Sequence, residues 1–192
     1  MGRKVHRVPL HLNSGGIKKL SDTEIALVLR GADDLIMTGG RRLLAKILKG
    51  SKEKRLLELG LDSSPVYGTL RDLSLEQVMA RIDWLIIKGY LAIEYDYRLP
   101  MLIYTRKGWE IERETYTKEM LERLDQQIEA NDPDASFDWL NEKNREVVLG
   151  VLDAIELSGD SKYIPALERW SRSTFRKLRI RIKAVLGALN KF

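Results

Sequence analysis

A group of cations around a serine is the first feature of the sequence that could do chemistry. Ser51 stands where a helix is expected to begin, so its hydroxyl and the free backbone amides after it could bind a phosphate oxygen. The surrounding cations are Lys49, Lys52, Lys54 and Arg55. A solvated helix start with an ordinary N-cap explains the same residues, and the residues by themselves favour that structural interpretation.

A second group of candidate residues lies at the tip of an expected hairpin. Tyr95 and Tyr97 are two residues apart, so they share one face of a strand, and Arg98 follows them. A tyrosine there could stack on a terminal base, which is worth about 1–3 kcal/mol. The alternative is that the rings pack on the preceding helix, and this alternative stays open for Tyr95 more than for Tyr97.

A third group is a basic stripe near the end of the chain. Spacings of three and four residues place its cations on one helical face, and no acidic residue occurs between Arg169 and Phe192. A solvated amphipathic helix explains the apolar half of this segment but not its almost purely basic polar face. We therefore expect a second nucleic-acid contact here. Its residues would be Arg172, Arg176, Arg179 and Lys183.

The helix expected over residues 74–88 offers a poor surface for reading bases. Its exposed face is expected to mix both charge signs, with Gln77, Arg81, Lys88, Glu76 and Asp83. Such a surface suits contact with the DNA backbone or with DNA ends better than sequence reading. Arg81 remains a candidate contact, and Arg71, just before the helix, is expected to contact a phosphate.

The chain offers little for catalysis or metal binding. It has no cysteine, which excludes a thiol nucleophile and thiolate zinc sites, and two histidines cannot build a His-rich metal centre. Residues 50–52 are not part of a nucleotide-binding phosphate loop, because Ala45 stands where its first glycine should be and Ser51 where its lysine should be. We expect no catalytic residue, metal, cofactor or small-molecule substrate, and we rate a DNA-processing hydrolase as a poor alternative.

Charge is distributed unevenly along the 192 residues, whose formal net charge is +5. Residues 1–108 hold 19 Lys and Arg against 12 Asp and Glu, residues 109–145 hold 5 against 11, and residues 146–192 hold 9 against 5. Two basic parts are thus joined by an acidic segment, and the basic balance points weakly to polyanions. Because no apolar run approaches the roughly 18 residues of a membrane span, we expect no membrane partner and a cytoplasmic location, associated with the nucleoid if the protein is bacterial.

Capping patterns and glycines predict the elements that position these residues. The basic segment 1–20 is typical of an arm. Ser21, with Glu24 three residues on, predicts a first helix that begins with a capping box. The apolar spacing of residues 41–49 predicts a second helix. A third, short helix is expected to be capped by Ser51 and to run through residue 59.

The same reasoning predicts a fourth helix and a hairpin. Ser74 with Gln77 is a second capping-box pattern at the start of the helix over residues 74–88. Strands are expected over residues 90–95 and 101–105, around a tip at residues 96–100. This order of elements, several helices followed by a hairpin, is that of a winged helix. Further helices are expected over residues 108–131, 138–157, 162–170 and 173–190.

Four motifs, in this order, resemble the RQC domain, the winged helix that follows the motor in RecQ-family helicases. They are Leu48-Lys49-Gly50-Ser51-Lys52-Glu53-Lys54-Arg55-Leu56, Val66-Tyr67-Gly68-Thr69 followed by Arg71-Asp72, Ile82 to Leu91, and Thr105-Arg106-Lys107-Gly108. The resemblance covers residues 24–112. It implies that Lys49, Ser51 and Arg55 contact a duplex backbone, and that an aromatic residue at the wing tip wedges a base pair apart.

The sequence differs from a RecQ helicase outside this region, since it carries no motor and no four-cysteine zinc subdomain. It resembles a stand-alone, minor RQC protein, with DNA ends, forks or junctions as implied partners and DNA repair as the implied setting. Residues 152–167 resemble the helix–turn–helix of a HEAT-type repeat. A stable solenoid normally needs three or more such repeats.

The predicted fold is mainly α with a small β wing: a winged-helix, RQC-like domain plus a small C-terminal helical domain. The predicted organisation is a basic arm (1–20), a DNA-binding winged helix (21–112), an acidic linker helix (113–134) and a HEAT-like helical domain (135–192). The predicted function is non-catalytic binding of DNA. The alternative is an accessory or regulatory subunit that docks a separate helicase or another DNA-processing protein.

Overall fold

The computed structural model describes residues 7–132 and 135–190. The chain divides into two compact units, Met1–Glu112 and Arg113–Phe192, and helix α5 (Arg106–Glu129) begins in the first and ends in the second. Within the described ranges, no helix combines the length and the apolar character that crossing a membrane requires.

The first unit is a winged helix, as predicted. Three helices, α1 (Asp22–Asp33), α2 (Arg41–Lys49) and α4 (Leu75–Ile87), pack around a shared apolar core. A single turn, α3 (Lys54–Glu58), and a 3₁₀ turn at Leu61–Ser63 lie in the connection between α2 and α4. Core side chains with no exposed surface include Val28, Leu29, Leu44, Leu48, Leu56, Ile82 and Leu85.

Both predicted capping boxes are present. The Ser21 side chain accepts a hydrogen bond from the Glu24 amide, and the Glu24 carboxylate accepts one from the Ser21 amide. Ser74 and Gln77 make the same pair of hydrogen bonds at the start of α4. Each box satisfies two backbone donors that the first helical turn leaves without partners, and this fixes where α1 and α4 begin.

The wing is the antiparallel hairpin β1 (Leu91–Asp96) and β2 (Leu99–Tyr104), paired from Leu91–Tyr104 to Asp96–Leu99. Its turn is only two residues, Tyr97 and Arg98, so the five-residue tip predicted at 96–100 is wrong. Tyr97 has φ 51°, the left-handed conformation that a two-residue turn of this kind needs. The segment before α2 also pairs with β2, because Met37 donates to Leu102 and Leu102 donates to Gly39.

The prediction that Ser51 caps the third helix is also wrong. The N-cap of α3 is Glu53, and Ser51 lies two residues earlier, where its hydroxyl oxygen accepts a hydrogen bond from the Glu53 amide at 3.3 Å. The reason is local: α2 ends at Gly50 in the left-handed conformation, with the Ser51 amide bonded back to the Lys46 carbonyl. Ser51 therefore completes the end of α2 instead of starting α3.

The second unit is helical. It comprises the rest of α5 (Arg106–Glu129), then α6 (Arg145–Ser158), α7 (Ile164–Ser173) and α8 (Arg176–Leu189), with 3₁₀ turns at Asp138–Glu142 and Ser161–Tyr163. Helix α8 packs on both α6 and α7. Trp170 and Phe137 are buried in the core of this unit. The predicted helix over residues 138–157 begins too early, because Asn144 caps α6 through a hydrogen bond from the Glu146 amide. The HEAT-like interpretation of these helices stays a prediction.

Candidate nucleic-acid interface

The end of α2 is joined to the loop before α4 by close backbone contact. A Cβ on Gly50 would lie 2.9 Å from the Cα of Gly68, so a glycine is required where the two segments meet. The amides of Gly68 and Leu70 donate to the carbonyls of Ile47 and Leu48 at 2.9 and 2.8 Å. These bonds satisfy carbonyls that the end of a helix leaves without partners. They also bring two separate sequence motifs into one surface.

Ser51 is held in place at this surface. Its carbonyl accepts a hydrogen bond from the Tyr67 hydroxyl at 3.0 Å. Its own side chain is partly exposed. The position suits a phosphate contact from the Ser51 hydroxyl, and that role stays a prediction.

Lys49 stabilises the fold through hydrogen bonds to the backbone. Its half-buried ammonium donates to the carbonyl oxygens of Arg71 and Leu73, which fixes the loop just before α4. An ammonium has three donors, so two of them are committed here. Substitution of Lys49 would therefore disturb the loop as well as any contact with DNA.

Four predicted cations of this region are exposed, and they differ in how far they are engaged within the protein. Lys52 and Arg55 are exposed, and neither takes part in an ion pair or side-chain hydrogen bond within the described residues. Arg71 is also exposed and uses its Nε to donate to the Gly68 carbonyl at 3.2 Å. Lys54 is 88% exposed and only loosely paired with Glu58, at 3.7 Å. We call residues 50–55 together with Arg71 the α2–α3 surface.

The arm covers part of the α4 face that was expected to be exposed, whereas Glu76, Gln77 and Lys88 on that face are exposed. The arm lies across it: the Asn13 amide donates to Asp83 at 2.8 Å, and a Cβ on Gly15 would lie 3.1 Å from the Cβ of Ala80. Asp83 is buried and paired with Arg41, which also donates to the His11 carbonyl. The placement of Asp83 on an exposed face is thus wrong, because the arm covers it.

Arg81 on the same helix is also engaged within the protein. Its Nε lies 3.1 Å from a carboxylate oxygen of Glu24, and Nη1 donates to the Gln77 carbonyl. The capping hydrogen bond from the Ser21 amide and the Arg81 cation both hold the pKa of Glu24 below its usual value. Arg81 therefore links α4 to α1, and its contact with DNA stays a prediction.

The two wing tyrosines have different surroundings. The Tyr95 hydroxyl donates to the Val8 carbonyl at 2.9 Å, and the Arg7 guanidinium lies 4.9 Å from its ring. Tyr95 thus packs against the arm. Tyr97 is 67% exposed, and its ring contacts only the neighbouring Arg98 guanidinium, at 5.4 Å, among the aromatic and cation contacts of the described residues.

The basic stripe near the end of the chain contains one cation that is engaged within the protein and three that are exposed. Arg179 donates to the carbonyls of Ser171 and Thr174 at 2.7 and 2.6 Å, so it stabilises the end of α7. Arg172, Arg176 and Lys183 are exposed and engage no carboxylate within the described part of the chain. Sequence reasoning did not anticipate that the arm packs on α2 and α4. The His11 carbonyl accepts from Arg41 of α2 and the Asn13 amide donates to Asp83 of α4, and such backbone groups leave no signal in the side-chain pattern.

The three packed helices, the hairpin and the cationic α2–α3 surface define a winged-helix nucleic-acid-binding module. A family model described as the RQC domain matches residues 23–128, more than half of the chain. The chain therefore belongs to the RQC domain family, and the resemblance proposed from the motifs is confirmed. No curated protein and no solved structure gives a significant match. The family match includes nearly all of α5. Within the described residues, no group of three or more His, Asp or Glu side chains is placed to hold a metal ion.

Proposed function

We propose that this protein is a non-catalytic DNA-binding protein that contacts the duplex backbone through the α2–α3 surface and favours duplex ends or junctions. The proposal rests on the observation that some of the predicted cations are exposed and not engaged in contacts within the protein. Lys52, Arg55 and most of the Arg71 guanidinium are left to solvent beside Ser51, whereas the Asp83 side of α4 is covered by the arm.

Backbone contact follows from the chemistry of this surface. Exposed lysine and arginine side chains neutralise phosphates and release condensed counterions, and they carry little sequence information. The arm covers Asp83 and Ala80 of α4, the helix that most winged helices place in the major groove. It leaves exposed Glu76, Gln77 and Lys88, whose mixed charge suits base reading poorly. Both observations favour recognition of duplex shape and charge over recognition of bases.

The preference for ends rests on the wing. Tyr97 is an exposed aromatic ring at the turn between β1 and β2, where it can stack on the open face of a terminal base pair. An uninterrupted duplex offers no such face. Arg98, exposed beside the ring, is positioned to contact the neighbouring phosphate.

A binding panel at one salt concentration tests this function. The full chain is titrated with a blunt duplex, a four-way junction and a covalently closed circular duplex of the same length as the blunt one. We expect binding to all three, with the blunt duplex and the junction bound more tightly. If the circle were bound as tightly as the blunt duplex, the proposed preference for ends would be contradicted. A folded chain that binds no duplex would contradict the proposal and favour the accessory-subunit alternative. We also expect no ATP hydrolysis, because the sequence has no nucleotide-binding phosphate loop.

A further inference from the structure

The second unit contains a small pocket that none of the roles above uses. It lies between the 3₁₀ turn before α6, the first turns of α6 and the start of α8. Its floor is apolar and is formed by Leu140, Val148 and Leu178, all of them buried. Phe175 forms one side of its mouth.

Phe175 occupies a position where folding favours a different residue. It is the N-cap of α8, and no side chain caps this helix end. Ser, Thr, Asp or Asn at an N-cap stabilises a helix by about 0.5–2 kcal/mol relative to a residue that cannot cap. Phe175 gives up that stabilisation and leaves 52% of its surface exposed. The ring is therefore an exposed apolar face whose presence the packing of the unit does not explain.

The rim of the pocket carries one sign of charge. Lys143, Arg145 and Lys177 line it, and no carboxylate of the described residues does. None of these three cations forms an ion pair within the described residues, and the nearby Glu146 carboxylate lies 3.6 Å from Arg113 instead. An apolar floor with an aromatic side and a cationic rim is complementary to a flat apolar group that carries negative charge at its edges.

We propose that this pocket binds an unpaired nucleotide of a single strand. The base stacks on Phe175 above the apolar floor, and Lys143, Arg145 and Lys177 contact the flanking phosphates. A base inside a duplex has both faces covered by its neighbours, whereas an unpaired base can offer a face to Phe175. The chemistry is common to DNA and RNA. The proposal goes beyond duplex binding and does not depend on the α2–α3 surface.

Stacking and phosphate contact can be separated by the choice of strand. The full chain is titrated with fluorescent oligothymidylate of twelve residues and with a twelve-residue strand that has the same phosphates but no bases. Base–aromatic stacking predicts that the Phe175→Ala variant loses affinity for oligothymidylate on the order of tenfold. Its affinity for the abasic strand should not change. Phe175→Trp should keep the affinity for oligothymidylate, and oligouridylate should behave in the same way if the site accepts RNA.

Ile180→Ala is the matched control, because Ile180 is a similarly exposed apolar residue (62%) on the same helix but does not line the pocket. We expect no effect from it. Equal losses from Phe175→Ala and Ile180→Ala, or an equal loss on the abasic strand, would overturn the proposal. Displacement of oligothymidylate by an oligoglutamate peptide of the same charge would identify a site for an acidic protein segment instead, which would also overturn it.

Duplex binding by the α2–α3 surface and single-strand binding by the pocket can be tested independently. Phe175→Ala should leave binding to the closed circular duplex unchanged. Substitutions on the α2–α3 surface should weaken binding to the circle and leave the stacking preference, oligothymidylate over the abasic strand, intact. Loss of that preference through Lys52→Ala and Arg55→Ala would show that the single strand binds the first unit, and would overturn the assignment of this pocket.

Discussion

Cations on this protein differ in whether their donors already have acceptors. Lys49, Arg81 and Arg179 donate to backbone carbonyls or pair with a carboxylate, so they hold elements together. Lys52 and Arg55 are exposed and not engaged in this way within the described residues. A phosphate can recruit the second kind of cation without breaking an internal contact, and these residues are therefore the strongest candidates.

The wing tip gives the first prediction, which concerns Tyr97. Its exposed ring should matter only where a duplex end is available, because stacking needs an uncovered base pair. Tyr97→Ala should weaken binding to a blunt duplex by about 1–3 kcal/mol and have almost no effect on a closed circle of equal length. Equilibrium titration of both substrates measures the difference.

Tyr97→Phe is the control, since stacking needs the ring and not the hydroxyl. It should bind the blunt duplex as the parent protein does. Equal losses for Tyr97→Ala on the two substrates would mean that the ring supports the fold or contacts the backbone. No loss on either would mean that the wing does not contact DNA.

The capping box of α1 gives a prediction for pH. The Ser21 amide and Arg81 lower the pKa of Glu24 in the folded protein, so the ionised carboxylate stabilises the fold. This contribution is complete above the ordinary pKa of a glutamate and is lost as the pH falls through the lowered value. Glu24→Gln should thus reduce stability at pH 7, with the difference from the parent protein shrinking in acid. Urea denaturation at a series of pH values checks this, and a constant difference would contradict it.

Residue types and spacing predicted which side chains are cationic and near a helix start, but not which of them are already engaged. Lys49 and Arg55 have the same standing in the sequence. Only the loop of residues 66–73, folded against the end of α2, gives Lys49 its carbonyl acceptors. Such acceptors are backbone groups from distant positions, and no local pattern predicts them.

At the scale of elements, the connection between the wing and α5 depends on the close approach of Gly108 to the Tyr90 carbonyl. The Thr105 hydroxyl donates to the carbonyl of Gly89 at 2.7 Å and accepts from the Gly108 amide at 3.1 Å. A Cβ on Gly108 would lie 2.0 Å from the Tyr90 carbonyl oxygen, so no other residue fits without a shift of backbone. This geometry explains the Thr105–Gly108 spacing that supported the family resemblance.

Gly108→Ala should therefore destabilise the protein by several kcal/mol, more than the ~1 kcal/mol that alanine gains over glycine in a helix. Urea denaturation measures the change. Gly187→Ala in α8 is the matched control: its Cβ would meet nothing within 4 Å, so we expect a gain of about 0.5–1 kcal/mol. Equal effects of the two substitutions would contradict the packing explanation.

Elements with strong local signals were predictable, and those set by tertiary contact were not. Ser21–Glu24, Ser74–Gln77 and the glycine after Lys49 fixed helix ends that the structure confirms. The wing turn was predicted too long, because a non-glycine residue, Tyr97, adopts positive φ there. The 3₁₀ turn at Asp138–Glu142 was predicted as part of the helix that follows it, whereas α6 begins only after its Asn144 cap.

At the scale of the whole molecule, the charge pattern and the partly covered face of α4 favour the same mode of binding. The basic excess lies in residues 1–108 and 146–192, and the family assignment makes the first unit a nucleic-acid-binding module. A protein that binds through phosphates should show affinity that falls steeply with salt and depends little on sequence.

The salt dependence of duplex affinity tests the central claim most directly. The 192-residue chain is titrated with a closed circular duplex over a range of salt concentrations, and the parent is compared with Lys52→Ala/Arg55→Ala. Lys18→Ala/Lys19→Ala, which removes the same charge from exposed positions outside the α2–α3 surface, is the control. We expect weaker binding and a slope of log K against log salt that is smaller by about two for the first variant only. An unchanged slope in a folded Lys52→Ala/Arg55→Ala protein, or the same change in both variants, would contradict it.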